Sequence, residues 1–427
     1  MSQYSKKSVF GWAMYDWANS AFAVVVMAGF FPVFFKKFWS QGVDTTVSTA
    51  RLGAANSITG IIIALSAPLL GAIADKGRLK KKFLIFFAYM GVVMTLCLYM
   101  VSLGNWPLAI MLYVLASLGF SGGNIFYDSL ITDIASFDKV DFVSALGLAL
   151  GYLGGGLLFA LNVWMTLKPN VFGFATNLEA VRFSFLLVGI WWAVFSIPIL
   201  LFVKEPETLV ISTGTSSIKA GFAQLKETFR EIRHLKTISL FLLAYWLYID
   251  GVDTIIRMAV DYGLSIGFQY TDLIIALLIT QLVGFPCSIG FGYLGQNIGA
   301  KKSIFIAIFV YILVTLWGAF MTNKNEFYIL AVMIGLVQGG IQGLSRSFYA
   351  KIIPAQRSAE FFGFYNMIGK FAVVLGPVLM GAAGLLIKSL GYSSTTASRA
   401  GIISISLFFI TGGILLYFVD EKSGHSA

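Results

Sequence analysis

Long apolar runs separated by short polar connections dominate the chain. A helix needs about 20 mostly apolar residues to cross a bilayer. Runs of that kind lie at 10–35, 52–74, 83–103, 107–132, 143–167, 183–203, 238–261, 272–294, 303–321, 327–350, 361–387 and 400–419. The connections are short except the one from Lys204 to Thr237. The pattern predicts an all-α integral membrane protein with twelve transmembrane helices. We expect the first run, which follows Lys6 and Lys7, to be an uncleaved span.

The composition narrows the function classes. Of 427 residues, 58% are hydrophobic and 12% are charged, and the mean hydropathy is +0.84. A soluble domain carries about 25% charged residues, so a cytosolic enzyme or a nucleic-acid-binding protein is excluded. Cys97 and Cys287 lie in apolar runs, and His234 and His425 lie in polar segments. We therefore expect no disulfide framework, no metal site and no cofactor.

The net charge of +10 is distributed unevenly along the chain. Lys and Arg are more frequent in the connections on the side of the N-terminus, and such residues mark the cytoplasmic face. We expect a multi-pass protein of the plasma (cell inner) membrane with both termini cytoplasmic; a vacuole-type membrane is the alternative. The bilayer, a small-molecule substrate and protons are the expected partners, nucleic acid is not, and the functional unit is expected to be a monomer.

Internal repetition points to a duplicated architecture. The segment Gly71–Arg78 at the end of the second run is matched by Gly292–Lys301 at the end of the eighth, and Gly147 and Gly154 recur as Gly369 and Gly376. Two parallel six-helix repeats of this kind are typical of large secondary transporters. We predict an N-terminal bundle at 1–203, a cytoplasmic linker at 204–237 with an amphipathic helix on the membrane surface, and a C-terminal bundle at 238–427.

Ionisable residues inside the runs are the candidate functional groups, because each costs about 2.5–3.5 kcal/mol at a helix centre. They must face one another or water. The strongest polar faces lie on runs one, four, seven and ten, and we expect them to converge on one central cavity. The candidate substrate and coupling residues are Asp16, Asn19, Asn124, Asp128, Asp250, Asp253, Arg257, Gln338, Gln342, Arg346 and Lys370.

Roles follow from the chemistry of these groups. Asp253 and Arg257 are spaced for an i,i+4 ion pair, which leaves Asp250 as the leading proton site. Arg257, Lys370 or Arg346 would hold a substrate carboxylate. The candidate gating loop, which is either a positive-inside anchor or a charge latch, comprises Gly71, Asp75, Lys76, Gly77 and Arg78. Its copy has Gln296 in place of the acid, so any latch is asymmetric.

Several motifs resemble a known family. Gly71–Arg78 resembles the loop signature of the major facilitator superfamily, with one residue missing between Lys76 and Gly77. The segments Tyr15–Phe22, Leu150–Gly156, Tyr248–Thr254 and Gln338–Ser347 are similar to its vacuole-effluxer branch. The resemblance implies a twelve-helix alternating-access carrier, and named eukaryotic members are linked to amino-acid efflux from the vacuole. The family motifs include Asp16, Asn19, Asp250, Asp253, Gln342 and Arg346.

Three functional hypotheses are consistent with the sequence. The first is a secondary carrier that moves a small polar solute, including amino acids, with protons. The second keeps the fold but moves a lipid, another amphiphile or a drug. The third is a non-transporting membrane sensor or scaffold, for which the 204–237 linker is the one candidate signalling segment. A membrane enzyme is the least favoured, because the runs contain no nucleophile–base pair and no phosphate loop.

Overall fold

The computed structural model describes residues 5–205, 235–265 and 268–420. Within these residues twelve helices are long and apolar enough to cross a membrane, and no strand forms. They are α1 (Lys6–Trp39), α2 (Val47–Gly77), α3 (Lys80–Leu98), α4 (Trp106–Ile134), α5 (Val140–Leu167), α6 (Asn177–Phe202), α7 (Lys236–Ile256), α8 (Thr271–Ile298), α9 (Ala300–Phe320), α10 (Lys324–Ile352), α11 (Ala355–Ser389) and α12 (Thr396–Tyr417). The prediction of twelve transmembrane helices is confirmed. The predicted amphipathic linker helix lies outside the described residues.

Several helices begin where a polar side chain satisfies the first free backbone N–H groups. Asn105 accepts the N–H of Leu108 before α4, and Thr176 accepts the N–H of Glu179 before α6. Asn323 does the same for Glu326 before α10. Capping of this kind typically contributes about 1 kcal/mol. The short polar connections therefore both separate the apolar runs and define where the next helix starts.

The first helix is irregular in a way that the apolar pattern does not predict. It is α-helical over Lys6–Ala21, then π-helical over Phe22–Phe30 and again over Phe35–Trp39. π-Helical segments are rare and are often found at functional sites. The first of them begins directly after the polar positions Asp16, Asn19 and Ser20.

The chain forms two compact units. Unit 1 comprises Met1–Ser136, Leu150–Ala223 and Gln356–Phe364, and unit 2 comprises Phe137–Ala149, Gln224–Ala355 and Tyr365–Ala427. Unit 1 thus contains the beginning of α11, and unit 2 contains the beginning of α5. The predicted domain boundaries at 203 and 238 stay a prediction.

Each unit contains tight helix contacts at glycine. In unit 1 a Cβ on Gly119 of α4 would lie 2.5 Å from the backbone N of Gly91 on α3. In unit 2 a Cβ on Gly335 of α10 would lie 3.0 Å from Cβ of Val283 on α8. Small residues let membrane helices approach closely, and these contacts hold the helices that carry the polar side chains.

Candidate functional site

Asp16 is the centre of a polar cluster in unit 1. It is 7% exposed, and its Oδ2 accepts a hydrogen bond from the hydroxyl of Tyr127 on α4 at 3.0 Å. Its Oδ1 accepts a longer bond of 3.4 Å from Ser20, one turn further along α1. Tyr127 itself stacks on Trp12, with ring centroids 4.3 Å apart. The carboxylate is therefore held on a buried aromatic support between α1 and α4.

A carboxamide pair extends this cluster. Asn19 on α1 donates from Nδ2 to Oδ1 of Asn124 on α4 at 2.7 Å. Asp128 lies one turn further along α4 and is 8% exposed. The structure thus brings Asp16, Asn19 and Asn124 together within unit 1 and buries Asp128 on the same helix as Asn124. We call Asp16, Ser20, Asn19, Asn124 and Tyr127 the first polar site.

Asp250 is the centre of a second cluster, in unit 2. It is fully buried on α7. Its Oδ1 accepts the backbone N–H of Gly376 on α11 at 2.9 Å and the hydroxyl of Thr254 at 3.2 Å. Its Oδ2 is buried and has no hydrogen-bond partner among the described residues. We call Asp250, Thr254 and Gly376 the second polar site.

The two sites are built alike, which the sequence analysis missed. The same interval separates Asp16 from Asp250, Asn19 from Asp253 and Ser20 from Thr254. In each site the hydroxyl four residues after the aspartate donates to its Oδ1.

A glycine on a second helix completes each site, Gly151 on α5 for the first and Gly376 on α11 for the second. A Cβ on Gly151 of α5 would lie 3.2 Å from Asp16 Oδ1, and one on Gly376 of α11 would lie 2.7 Å from Asp250 Oδ1. By these contacts Gly376 corresponds to Gly151, and not to Gly154 as the glycine spacing predicts. The signal that could have revealed the likeness is the repeated pattern Asp-x-x-(Asn/Asp)-(Ser/Thr).

Four other candidate residues of unit 2 are less buried than Asp250. Asp253, Gln338, Gln342 and Lys370 are half-buried. The side chain of Arg257 lies outside what the structure describes, so its predicted pairing with Asp253 stays a prediction, as does the convergence of all candidates on one cavity. Two hydroxyls of unit 2 also pair: Tyr248 on α7 and Ser345 on α10 share a hydrogen bond of 2.7 Å.

Arg346 is engaged by the beginning of α5. Its Nε donates to Oγ of Ser144 at 2.8 Å, and its terminal nitrogen donates to the carbonyl oxygen of Ser144 at 2.7 Å. Nearby, Nζ of Lys351 lies 2.6 Å from Oδ2 of Asp141. Gln296, at the position matching the acid of the gating loop, donates to the carbonyl of Asp138 at 3.2 Å. These contacts all lie within unit 2 and tie the start of α5 to α8 and α10.

The candidate gating loop makes the corresponding contacts in unit 1. The carboxylate of Asp75 accepts the N–H groups of Ala359 at 3.1 Å and Glu360 at 2.8 Å, at the start of α11. Gly71 permits this approach, because a Cβ there would lie 2.2 Å from the carbonyl oxygen of Ala359. Arg78 adopts a positive φ of 52° in the turn, and Lys76 is exposed.

Lys80 is a further residue of this contact that the sequence analysis did not single out. Its Nζ lies 3.7 Å from Asp75 and 3.0 Å from Asp133, and it donates to Oγ of Ser358 at 2.7 Å. The side chain is 10% exposed. A buried cation thus joins α2, α4 and the start of α11, and we call Asp75, Lys80, Asp133 and Ser358 the lysine junction.

Together the two polar sites offer carboxylates, hydroxyls and carboxamides in buried or half-buried positions. Such groups bind hydrogen-bonding solutes and take up protons. Among the residues that the structure describes, no three His, Cys, Asp or Glu side chains gather as a metal site would require.

Comparison with known proteins gives concordant matches. The family described as vacuole effluxer Atg22-like matches residues 4–427. An uncharacterized MFS-type transporter of Bacillus subtilis (strain 168), YxiO, is 37% identical over 99% of this chain and 97% of its own length. Autophagy-related protein 22 of Eremothecium gossypii is 21% identical, over 88% of this chain and 85% of its own.

Solved structures show the same fold at low sequence identity. The human organic anion transporter MFSD10 superposes with a TM-score of 0.69 at 14% identity, covering 97% of this chain and 99% of its own. The proton:xylose symporter XylE superposes with a TM-score of 0.67 at 12% identity, covering 98% of this chain and 95% of its own. The predicted major facilitator fold, with two parallel six-helix repeats, is confirmed.

Proposed function

This chain belongs to the Atg22-like vacuole effluxer family and is an MFS-type transporter, and we propose that it is a proton-coupled secondary carrier that moves a small polar solute by alternating access. Amino acids are the proposed solute class, since they carry both a carboxylate and an ammonium group. We further propose that it resides in the plasma membrane with both termini in the cytoplasm.

The second polar site carries the proposal of proton coupling. A buried carboxylate without a full set of partners is costly, and Oδ2 of Asp250 is such an atom. A proton on Oδ2 neutralises the charge, while Gly376 and Thr254 continue to hold Oδ1. Asp250 therefore suits a group that gains a proton in one step of transport and loses it in another.

The first polar site supports solute recognition. Carboxamides both donate and accept hydrogen bonds, and Asn19 and Asn124 present two of them beside Asp16. The carboxylate of Asp16 suits a solute ammonium group. For the solute carboxylate, Arg257, Lys370 and Arg346 are the proposed cationic partners.

The lysine junction supports the alternating-access part of the proposal. The carboxylate of Asp75 on α2 accepts two backbone N–H groups at the beginning of α11, and the buried Lys80 contacts both Asp75 and Ser358. We propose that one step of alternating access separates the beginning of α11 from α2 and so breaks these contacts. The free energy of separating them then sets how readily the carrier changes state.

The experiment first identifies a solute and then tests coupling. Purified protein is screened against the proteinogenic amino acids one at a time, because a solute that binds the folded state raises the apparent melting temperature. Hits are then tested for uptake into proteoliposomes with and without an imposed pH gradient. We expect the wild-type protein to accumulate at least one amino acid when the gradient is present.

The decisive variant is Asp250→Asn, and Asp138→Asn is the matched control at an exposed acid between α4 and α5. We expect Asp250→Asn to lose gradient-driven accumulation but to keep solute exchange, and Asp138→Asn to behave as wild type. Unchanged accumulation in Asp250→Asn would remove that residue from the coupling mechanism. Failure of every amino acid to stabilise the protein would contradict the proposed solute class.

A further inference from the structure

Unit 2 contains a cavity of about 160 Å³ that is separate from the second polar site. Residues from α7 to α12 line it, and Asp250, Thr254 and Gly376 are not among them. Its wall includes a buried apolar cluster that contains Leu273, Val314, Phe327 and Leu330. None of the described residues that line the cavity is charged. An occupant of this space must therefore be uncharged and mainly apolar.

Four polar side chains, those of two threonines and two glutamines, interrupt the apolar wall. Their hydrogen bonds indicate which of them can accept a bond from an occupant. Thr280 donates its hydroxyl to the carbonyl oxygens of Ala276 and Ala331, at 3.0 and 3.2 Å, and Thr315 donates to that of Tyr311 at 2.7 Å. Both hydroxyl hydrogens are thus used inside the protein. The oxygens keep lone pairs, so the two threonines can act towards an occupant as acceptors.

The two glutamines on the wall point to the same conclusion. Gln281 on α8 is 6% exposed, and Gln338 on α10 is half-buried. The carbonyl Oε1 of each is buried and has no hydrogen-bond partner among the described residues. Buried acceptors are usually satisfied in native structures, so two of them beside one cavity indicate a missing donor.

We propose that this cavity binds a small, uncharged, mainly apolar molecule that carries an O–H or N–H donor, with Gln281 and Gln338 as its acceptors. The size fits a single aromatic ring, since an engineered cavity of about 150 Å³ lined by similar residues in another protein binds benzene. The occupant contacts helices α7 to α12 at once, so it stabilises their packing. The proposal does not rest on the proposed transport function, although Gln338 is also one of the candidate substrate residues named from the sequence.

Methionine methyl groups provide a direct readout, because Met321 and Met380 line the cavity. The full chain is labelled with ¹³C-methyl methionine, placed in lipid nanodiscs and titrated with phenol, which has a donor, or with anisole, which has the same ring and no donor. We expect saturable ring-current shifts at Met321 and Met380 with both molecules. Phenol binding should depend on the glutamines, and anisole binding should not.

Two variants distinguish the contribution of the cavity's shape to binding from that of its hydrogen-bond acceptors. In the double variant Gln281→Leu and Gln338→Leu, which removes unsatisfied buried acceptors and should fold, we expect phenol to bind about three- to tenfold more weakly and anisole to bind as before. Ala276→Leu, which fills the cavity, should abolish the shifts for both molecules. Leu282→Ala is the control, because Leu282 is 60% exposed on the same helix and does not line the cavity.

Three results would overturn the proposal. Shifts at Met321 and Met380 that never saturate, or that persist in Ala276→Leu, would mean that the ring partitions into lipid and not into the cavity. Equal weakening of phenol and anisole in the double glutamine variant would show that shape alone governs binding. Shifts that follow the acyl-chain length of the nanodisc lipid and resist phenol would identify a lipid chain as the occupant.

Discussion

The carboxylate of Asp250 on α7 is fastened to the main chain of α11, where the N–H of Gly376 donates to its Oδ1 at 2.9 Å. Gly376 precedes Pro377, which lies inside the helix. A proline in a helix prevents the regular pattern of backbone bonds around it. The result is a buried acid whose position depends on the close approach of two helices from the second repeat.

Gly376→Ala tests that close approach. A Cβ at this position would lie 1.7 Å from Oγ1 of Thr254 and 2.8 Å from its Cβ, so the helices must separate. We expect the free energy of unfolding to fall by about 1–3 kcal/mol, as is typical of overpacking, and the apparent melting temperature to fall with it. Thermal unfolding in detergent measures the change.

Gly381→Ala is the matched control on the same helix, because a Cβ there meets nothing within 4 Å. It should leave the melting temperature unchanged or raise it slightly, since alanine favours helix more than glycine does. If both variants melt alike, the contact between Gly376 and the Asp250 site contributes nothing to stability.

Gly71→Ala tests the contact between the end of α2 and the start of α11. Backbone atoms of Ala359 and Glu360 surround the missing Cβ at 2.2 to 2.7 Å, and backbone cannot rotate away as a side chain can. We expect faster amide hydrogen exchange across Gln356–Phe364 in this variant. Gly60→Ala, on α2 with nothing within 4 Å of its Cβ, should leave exchange as in wild type. Equal exchange in the two variants would contradict the contact.

Lys80→Gln tests the buried cation of the lysine junction. Its removal leaves Asp75 and Asp133 without their shared positive charge, and breaking a buried ion pair in this way costs about 3–5 kcal/mol. We expect a clear fall in melting temperature. The exposed neighbour Lys76→Gln should have little effect, because surface charges contribute about 0–1 kcal/mol.

A second substitution distinguishes charge from packing at this junction. Adding Asp133→Asn to Lys80→Gln removes one of the uncompensated carboxylates, so the double variant should recover part of the lost stability. A double variant that melts no higher than Lys80→Gln would indicate that the lysine acts through its packing and not through its charge.

Tyr127→Phe tests the support of Asp16 in the first polar site. The variant removes the hydroxyl that donates to Oδ2 of Asp16. The control is Tyr113→Phe, on the same helix as Tyr127, which removes a comparable hydrogen bond to Asn56 on α2. Each should cost about 0.5–1.5 kcal/mol of stability. Only Tyr127→Phe should alter the rate of amino-acid uptake in proteoliposomes. Equal uptake by the two variants would remove Tyr127 from the first polar site's function.

The number and order of the helices could be predicted because each span must be apolar over its whole length in lipid. The same physics singled out Asp16 and Asp250, since an acid is costly inside a span. The π-helical part of α1 could not be predicted, because its residues are as apolar as those of an ordinary helix. Nor could the hydrogen bond to Gly376, which joins residues 126 positions apart.

For Arg346 and Lys80, residue type alone did not predict which groups the side chain contacts. Both are cations beside polar motifs, yet Arg346 donates to Ser144 at the start of α5, and Lys80 lies between two carboxylates and Ser358. Their partners come from distant parts of the chain, and a single sequence does not contain that pairing. Spacing identified candidate charges, and packing determined what each one contacts.

Proton movement that accompanies solute entry is the direct test of proton coupling through Asp250. Proteoliposomes that enclose a pH-sensitive dye receive an amino acid identified by the stability screen, and the internal pH is followed with no gradient imposed beforehand. We expect an internal pH change with wild type and with Asp138→Asn, and none with Asp250→Asn, although all three exchange the solute. An equal pH change with Asp250→Asn would show that protons are not coupled to transport through this residue.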